Sequence, residues 1–473
     1  MRARSSSAAL LAIDLGSSSV RTALFNEKAQ PFPNTAAARA YQLRYTADGG
    51  AELNASFLLR AARNCLRATL RAAPQIKLAG VSGSAFWHGL LGLDEEERPI
   101  TPIWTWADSR SSGDARKLRE EFNEHTAQTR TGCMLRHVYW PAKLRWIRRT
   151  NPALFRRVRR WVSPADYLFG ELFGERSTSE SMASGTGLFD LRTRQWDAAS
   201  LAACGISAAR LSPIRKDAAP RTQWRGAEIF PAIGDGAASN LGSGADRKGT
   251  LALNVGTSAA VRVIETPAHD AAIPPGLFRY IVDARRTLLG GAVSNAGNLH
   301  AWCARELRTA KKLSRAAAAA DTLTILPFWV SERAPTWPEN LAGSVIGITQ
   351  ATTAADFARA ISTSLFYRLA AIVERLPPGE IIVSGGIAHA ADALAILADS
   401  LGQDIRVSSE PEASLRGAAI HGLTSLGLET PRTKPGRIVR HRAEFFASHG
   451  SRRAQQEALE LRLAGFTPLR VNQ

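Results

Sequence analysis

Cysteine is scarce in this chain. Its four residues, Cys65, Cys133, Cys204 and Cys303, lie far apart, with no CxxC pair and no histidine at metal-ligand spacing. This excludes a disulfide framework and a zinc site, and reduced thiols in a cytoplasmic protein are the expectation. Long apolar runs are missing too. Nowhere do about 18 apolar residues follow one another without a charge, so neither a transmembrane helix nor a membrane partner is expected. The basic start Met1-Arg2-Ala3-Arg4 leads into a short apolar run, residues 8–13, which ends at Asp14 with no small-residue cleavage site; a secretory signal is therefore not expected. Two nucleotide motifs are also absent. There is no GxxxxGKS or GxxxxGKT and no GxGxxG, which argues against a P-loop, a protein-kinase glycine loop and a dinucleotide fingerprint.

Acidic residues are outnumbered, 42 against 60 Lys and Arg, for a net charge of +18. Such a balance attracts polyanions. The basic residues are spread out, however, in pieces such as residues 156–160 and 434–442. No zinc-finger, homeodomain or RNA-recognition pattern accompanies them, so no nucleic-acid partner is expected. With 45% hydrophobic and 22% charged residues in a chain of 473, the composition is that of a folded protein with room for two large domains.

What is present is an internal echo. Residues 11–21 read LAIDLGSSSVR and residues 251–262 read LALNVGTSAAVR. Asp14 falls in step with Asn254, Gly16 with Gly256 and Ser17 with Thr257. Each copy is an apolar run, a Gly-centred turn and a second β-type run, which predicts a β-hairpin at the head of each half. Between the echoes, helical and strand patterns alternate as in α/β folds. Helices are expected over residues 56–71, 356–374, 414–423 and 452–462, and strands over 77–82 and 380–383. The first domain is expected over residues 1–244 and the second over 245–428. A basic C-terminal extension, 429–473, has no assigned role.

Three segments can carry chemistry. In Asp14-Leu15-Gly16-Ser17-Ser18-Ser19, consecutive N–H groups and hydroxyls at a turn make a concavity for phosphate oxygens, and Asp14 can hold Mg²⁺ through water. A plain hairpin turn is the other reading, and Arg21 either steadies a phosphate or faces solvent. The second copy, Asn254-Val255-Gly256-Thr257-Ser258, favours a clamp from two sides. Third, Gly234-Asp235-Gly236 reads as a turn before the second hairpin. Its carboxylate either is merely solvated or accepts a proton from a hydroxyl that attacks a γ-phosphate.

These pieces resemble, in order over residues 10–425, the FGGY carbohydrate kinases of the actin-like ATPase superfamily. The resemblance rests on Asp14–Arg21; Ser84-Ala85-Phe86-Trp87-His88; Thr105-Trp106-Ala107-Asp108-Ser109-Arg110; Lys143-Leu144-Arg145-Trp146; the Asp166-Tyr167-Leu168 and 184–190 segments; Gly234-Asp235-Gly236; 254–258; and Ser384-Gly385-Gly386. Within the family the wording is closest to gluconate kinases, in FWH at 86–88, TWADSR at 105–110, GTGLFDLRT at 185–193, LLGGAVSNAGN at 288–298 and LPFWVSERAPTW at 326–337. Two positions depart from the family signatures: Ser362-Thr363-Ser364 stands where an acid is usual, and Trp140 where a small residue or Pro is usual. They leave the outer substrate wall open.

The resemblance implies an α/β, two-lobed actin-like (ribonuclease H-like) fold with an ATP and sugar cleft between the lobes. It implies Asp235 as catalytic base and Asp14 and Asp235 as carboxylates near Mg²⁺. Gly16, Ser17, Ser18, Arg21, Gly256 and Thr257 would hold the phosphates, and Gly385, Gly386 and Asn298 the adenosine. Trp87, His88, Asp108 and Arg110 would hold the sugar or sugar acid, although Trp87 and His88 also read as core residues and Asp108–Arg110 as a structural ion pair. Gluconate is the expected acceptor. Another sugar, such as xylulose, and a non-catalytic sugar- or nucleotide-binding regulator are the alternatives. A homodimer is left open.

Overall fold

The computed structural model describes residues 9–215, 222–266, 271–308, 313–434 and 436–465; the Met1–Arg4 start and the last residues of the C-terminal extension lie outside this set. Seven consecutive buried residues, Ala9–Leu15, form the central strand of the first sheet. Burial on both faces is why the run stays apolar as far as Asp14. The strand pairs antiparallel with Ser19–Phe25, closing the expected hairpin, and parallel with Leu78–Ala85. Across the sheet the order is Gln223–Trp224, Ala227–Ile229, Leu78–Ala85, Ala9–Leu15, Ser19–Phe25 and Ala37–Ala40, with Ile233–Gly234 beside the end of Leu78–Ala85.

The second sheet repeats this plan. Thr250–Val255 pairs antiparallel with Ala259–Glu265 and parallel with Glu380–Ser384. Thr287–Val293 extends the hairpin side and Ile405–Val407 the parallel side. In each lobe, then, a hairpin and a third antiparallel strand lie on one side of the first strand, and parallel strands lie on the other. This is the two-lobed α/β architecture the motif order implies.

The expected helices form, with ends moved by capping and packing. The 356–374 pattern is the helix Ala354–Val373, because Thr353 is its cap and Asp356 closes a capping box. The 414–423 pattern is Ala413–Ser425. This helix belongs by sequence to the second half, yet it covers the first sheet: Leu415, Ala418, Ala419 and Leu423 share a core with Leu10, Val81 and Ile233. It also crosses the helix Asp235–Ser243 backbone to backbone. A Cβ on Gly417 would lie 1.8 Å from the Ala238 carbonyl oxygen, and one on Gly242 1.8 Å from that of Ala413.

The lobes meet again where the second sheet's edge reaches the first half. Gln128 Nε2 donates to Leu277 O at 2.7 Å, Ile281 N–H to Ser184 Oγ at 2.9 Å, and the Tyr139 and Tyr280 hydroxyls share a bond of 2.8 Å. The C-terminal extension is part of the second lobe. Ile438–Val439 adds an edge strand to Ile405–Val407, and Ala443–Ala464, much longer than the expected 452–462, docks through His449 on Tyr367 and Glu460 on Arg368. All four cysteines are buried and unpaired. No helix among the described residues is long and apolar enough to cross a membrane.

The glycine crossing generates a stability prediction. Gly417→Ala forces a methyl group into the Ala238 carbonyl and is expected to cost about 3 kcal/mol. The loss reads as a lower urea midpoint at unchanged m-value; an unchanged midpoint refutes the close approach.

Candidate active site

Three parallel strands of the first sheet end at one level, the side on which open α/β sheets take ligands. Asp14 stands in register with Ser84, and Ser84 with Ile233 on its other side. The Ser84 hydroxyl donates to Asp14 Oδ1 at 2.6 Å. The second sheet carries a matching pair: Asn254 is in register with Ser384, and its Nδ2 donates to Ser384 Oγ at 3.1 Å. The sequence echo therefore extends to a strand-end pair in each lobe, acidic in one and amide in the other.

Both Gly turns present donors outward because neighbouring segments bind their carbonyls. In the first, Tyr41 N–H donates to Ser18 O at 2.8 Å and the Tyr41 hydroxyl bonds Gly16 O. In the second, Gly297 N–H donates to Gly256 O at 3.0 Å and Asn298 N–H to Thr257 O at 3.2 Å. The tips, Ser17-Ser18 and Thr257, keep their hydroxyls free of bonds to described residues and carry the open N–H groups that cradle anions. A Cβ on Gly256 would meet nothing nearer than Ser258 O at 3.9 Å, so this glycine leaves room in front of the turn. Gly385 has a different reason. Its φ is +88°, and a Cβ would press on Val255 O at 2.5 Å, so the chain can only turn past Ser384 as glycine.

Asp235 is not the tip of a hairpin-like turn, as Gly-Asp-Gly suggests. It is the first residue of the helix Asp235–Ser243, directly after the strand Ile233–Gly234. The helix N-terminus favours its carboxylate, and Gly236 N–H donates to Oδ1 at 2.7 Å. Burial nevertheless raises its pKa above the usual range, with Arg262 and Arg333 opposing the shift. Asp14 is pushed up to about 6, chiefly by burial; repulsion from Asp235 and Glu412 adds to this, while the Ser84 hydrogen bond and Arg21 oppose it. Arg21 lies 3.7 Å from Asp14 and 2.8 Å from Glu412, so it reaches the carboxylates rather than open solvent.

His88 directly follows Trp87, whose indole packs against Gly234 and Gly236. Its Nδ1 is 2.6 Å from the Gly185 carbonyl, an acceptor, so Nδ1 carries the proton and Nε2 is left as an acceptor. Burial drives its pKa down to about 3, so the ring is neutral. Tyr139 and Tyr280 pack edge-on against it, and Lys143 donates from Nζ to the His88 and Thr105 carbonyls at 2.8 and 2.7 Å.

Three expected sugar contacts are placed elsewhere. Trp87 is 5% exposed. Its indole lies under the Gly234-Asp235-Gly236 junction, where a Cβ on Gly234 would sit 1.8 Å away, and its N–H is bonded to Ser181 O. It supports Asp235 and is no open stacking face. Asp108 is 1% exposed and its carboxylate binds Arg110 at 2.6 Å and the Ala51 amide. Arg110 also bonds Glu52 at 2.7 Å and lies over Trp146. The two form a structural ion pair behind the cleft because each satisfies the other's buried charge. Trp140, too, is core, packed with Trp104 and Leu144.

The family models for the N-terminal and C-terminal domains of FGGY carbohydrate kinases match residues 9–225 and 251–426. The chain belongs to the FGGY family of carbohydrate kinases. It is similar to a gluconokinase of Bacillus licheniformis, 29% identical over 88% of each chain. Two solved Lactobacillus acidophilus structures share its fold at a TM-score of 0.85 and 22% identity: a gluconate kinase, covering 97% of this chain and 99% of its own, and a ligand-bound xylulose kinase, covering 97% and 98%. As a member of this family the chain is an ATP-dependent carbohydrate kinase.

For this FGGY kinase, sequence reasoning did not single out Arg262, Arg333, Ser84, Lys143, Tyr139 or Tyr280. The first four lie inside motif segments it quoted, but nothing in one dimension shows which face of a strand or loop they take. A pH prediction follows from the Asp14 pair. The acid limb of kcat/KM, which reports the free enzyme, is expected to bend near pH 6. Ser84→Ala removes a hydrogen bond to the charged form and should move the bend up by about 0.7 unit, the worth of one ordinary hydrogen bond. A bend that stays in place detaches this limb from Asp14.

Proposed function

We propose that this kinase transfers the γ-phosphoryl group of ATP to a hydroxyl of a sugar acid, D-gluconate giving 6-phospho-D-gluconate. The observation that carries the reading is Asp235, a carboxylate of raised proton affinity at a helix head, near enough to Asp14 for the two charges to repel. The likeness to gluconokinases over most of the chain supports the choice of acceptor.

Phosphoryl transfer needs alignment and charge neutralisation more than covalent help. Open N–H groups and hydroxyls at Ser17, Ser18 and Thr257 suit the β- and γ-phosphates, one turn from each lobe. Gly385, Gly386 and Asn298, beside the second turn, suit the rest of the nucleotide. Asp235 takes the proton from the attacking hydroxyl, and its raised pKa makes it a stronger acceptor than an exposed aspartate. His88 Nε2 accepts from a second hydroxyl and fixes the acceptor's orientation. Closing of the lobes excludes water, so the hydroxyl outcompetes hydrolysis.

Asp14 and Asp235 fit Mg²⁺: both are hard oxygen donors, and their mutual repulsion falls when a cation lies between them. No group of three or more acidic, His or Cys side chains suited to a metal occurs among the described residues, so phosphate oxygens and water would complete the shell. The bound ion would supply charge neutralisation at the phosphates.

A ketose acceptor is the second reading, favoured by the xylulose kinase structure at the same TM-score as the gluconate kinase. A panel of gluconate, xylulose, ribulose, glycerol and fuculose, assayed by ADP release, decides between them: turnover on xylulose without gluconate turnover rejects the sugar acid. Asp235→Asn is expected to lower kcat by roughly 10³-fold or more, while ATP affinity by calorimetry stays within about threefold. A kcat that survives removes Asp235 as the base.

A further inference from the structure

We propose that Arg262 is the specificity-determining residue of this site and binds the carboxylate of a sugar-acid acceptor; the inference rests on the phosphoryl-transfer reading above. Arg262 lies in the strand Ala259–Glu265, opposite Ala252 and two residues beyond Ala260, which faces Asn254. With a two-residue period it shares the face on which Asn254 stands. Its guanidinium rests against the residue after the base: a Cβ on Gly236 would lie 2.7 Å from Nε and 2.9 Å from Cζ. Glycine at 236 is thus what admits this side chain.

Among the described residues the guanidinium has no hydrogen-bond acceptor, and Asp235 is the carboxylate whose charge acts on it most. Nε is buried without a hydrogen bond, and no described carboxylate comes within ion-pair distance. The neighbouring cation, Arg333, is held differently. It donates from Nε to Ser294 Oγ at 3.1 Å and from Nη2 to Val293 O at 3.0 Å, and lies over the Trp106 ring. Glu332, the nearest acid in sequence, is occupied by the Ser294 and Arg333 amides and by Asn295.

Charge is therefore unevenly divided about Asp235. Arg21 reaches Asp14 and Glu412, whereas Arg262 and Arg333 are the cations that act on Asp235 and on neutral His88. A half-buried guanidinium donor without an acceptor is costly. An anion arriving with the acceptor removes that cost, and a planar carboxylate matches the guanidinium fork. Neutral sugars bring no such charge. Because Arg262 rests against Gly236, the residue after Asp235, whereas Asp14 is held by Ser84 and Arg21, the anion it meets is the acceptor's rather than the nucleotide's.

The test compares D-gluconate with D-gluconamide, which keeps the polyol chain and replaces the carboxylate by a neutral amide. In Arg262→Gln, the acid-over-amide ratio of kcat/KM should fall by about 10²-fold, through the KM for gluconate. Arg262→Lys, which keeps the charge and loses the fork, should restore part of it, and it carries the test if the Gln variant does not fold. An unchanged ratio overturns the proposal, as does an equal loss of kcat with both acceptors, which would assign Arg262 to the transferring phosphoryl group. Wild-type protein that phosphorylates only neutral sugars overturns the substrate reading itself, an outcome distinct from either.

Discussion

Two carboxylates held in one cleft repel each other, and most of the polar structure around them offsets that repulsion. Asp14 and Asp235 are each brought to the carboxyl end of a parallel strand, where burial is the main cause that raises their proton affinity. Ser84 and Arg21 hold Asp14 toward its ionised form. The helix head, the Gly236 amide, Arg262 and Arg333 do the same for Asp235. The result is a pair of acids whose proton affinity lies above that of an ordinary carboxylate. A cation and a proton-bearing hydroxyl are the two things a phosphoryl-transfer site must handle.

That pair exists only because the fold is made twice and joined at the middle. Each lobe supplies a Gly turn whose carbonyls are tied back by a neighbouring segment, Tyr41 in one and Gly297-Asn298 in the other. Each supplies a strand-end pair, Asp14–Ser84 and Asn254–Ser384. Duplication is broken at the strand ends, where the second copy has an amide in place of the acid. The lobes are connected at Gly242 and Gly417, where two helices touch backbone to backbone. The helix that begins at Asp235 is one of this pair, so the proposed base is anchored in the contact between the two halves.

Trp87, Asp108 and Arg110 show how motif residues can support a site without touching its ligand. Trp87 fills the space beneath Gly234 and Gly236, which fixes the junction that aims Asp235. Asp108 and Arg110 neutralise each other against Trp146, and Lys143 then ties the Thr105 carbonyl to that of His88. In one dimension these residue types read as sugar ligands, because Trp, Asp and Arg are what sugars bind. Only burial and partner choice separate the two roles.

The amino-acid sequence by itself determined the family, the doubled α/β plan and the hairpins. Those properties are local or repeat along the chain: apolar runs bounded by glycine, motifs in order, a half-length echo. The tertiary structure decided which side chains converge. It put Ala413–Ser425 on the first sheet, made Asp235 a helix head, folded the C-terminal extension into the second lobe, and left the Arg262 Nε against Gly236 without a hydrogen bond. Each of these depends on contacts between residues far apart in the chain, where register and helix crossing, rather than residue type, set the distance.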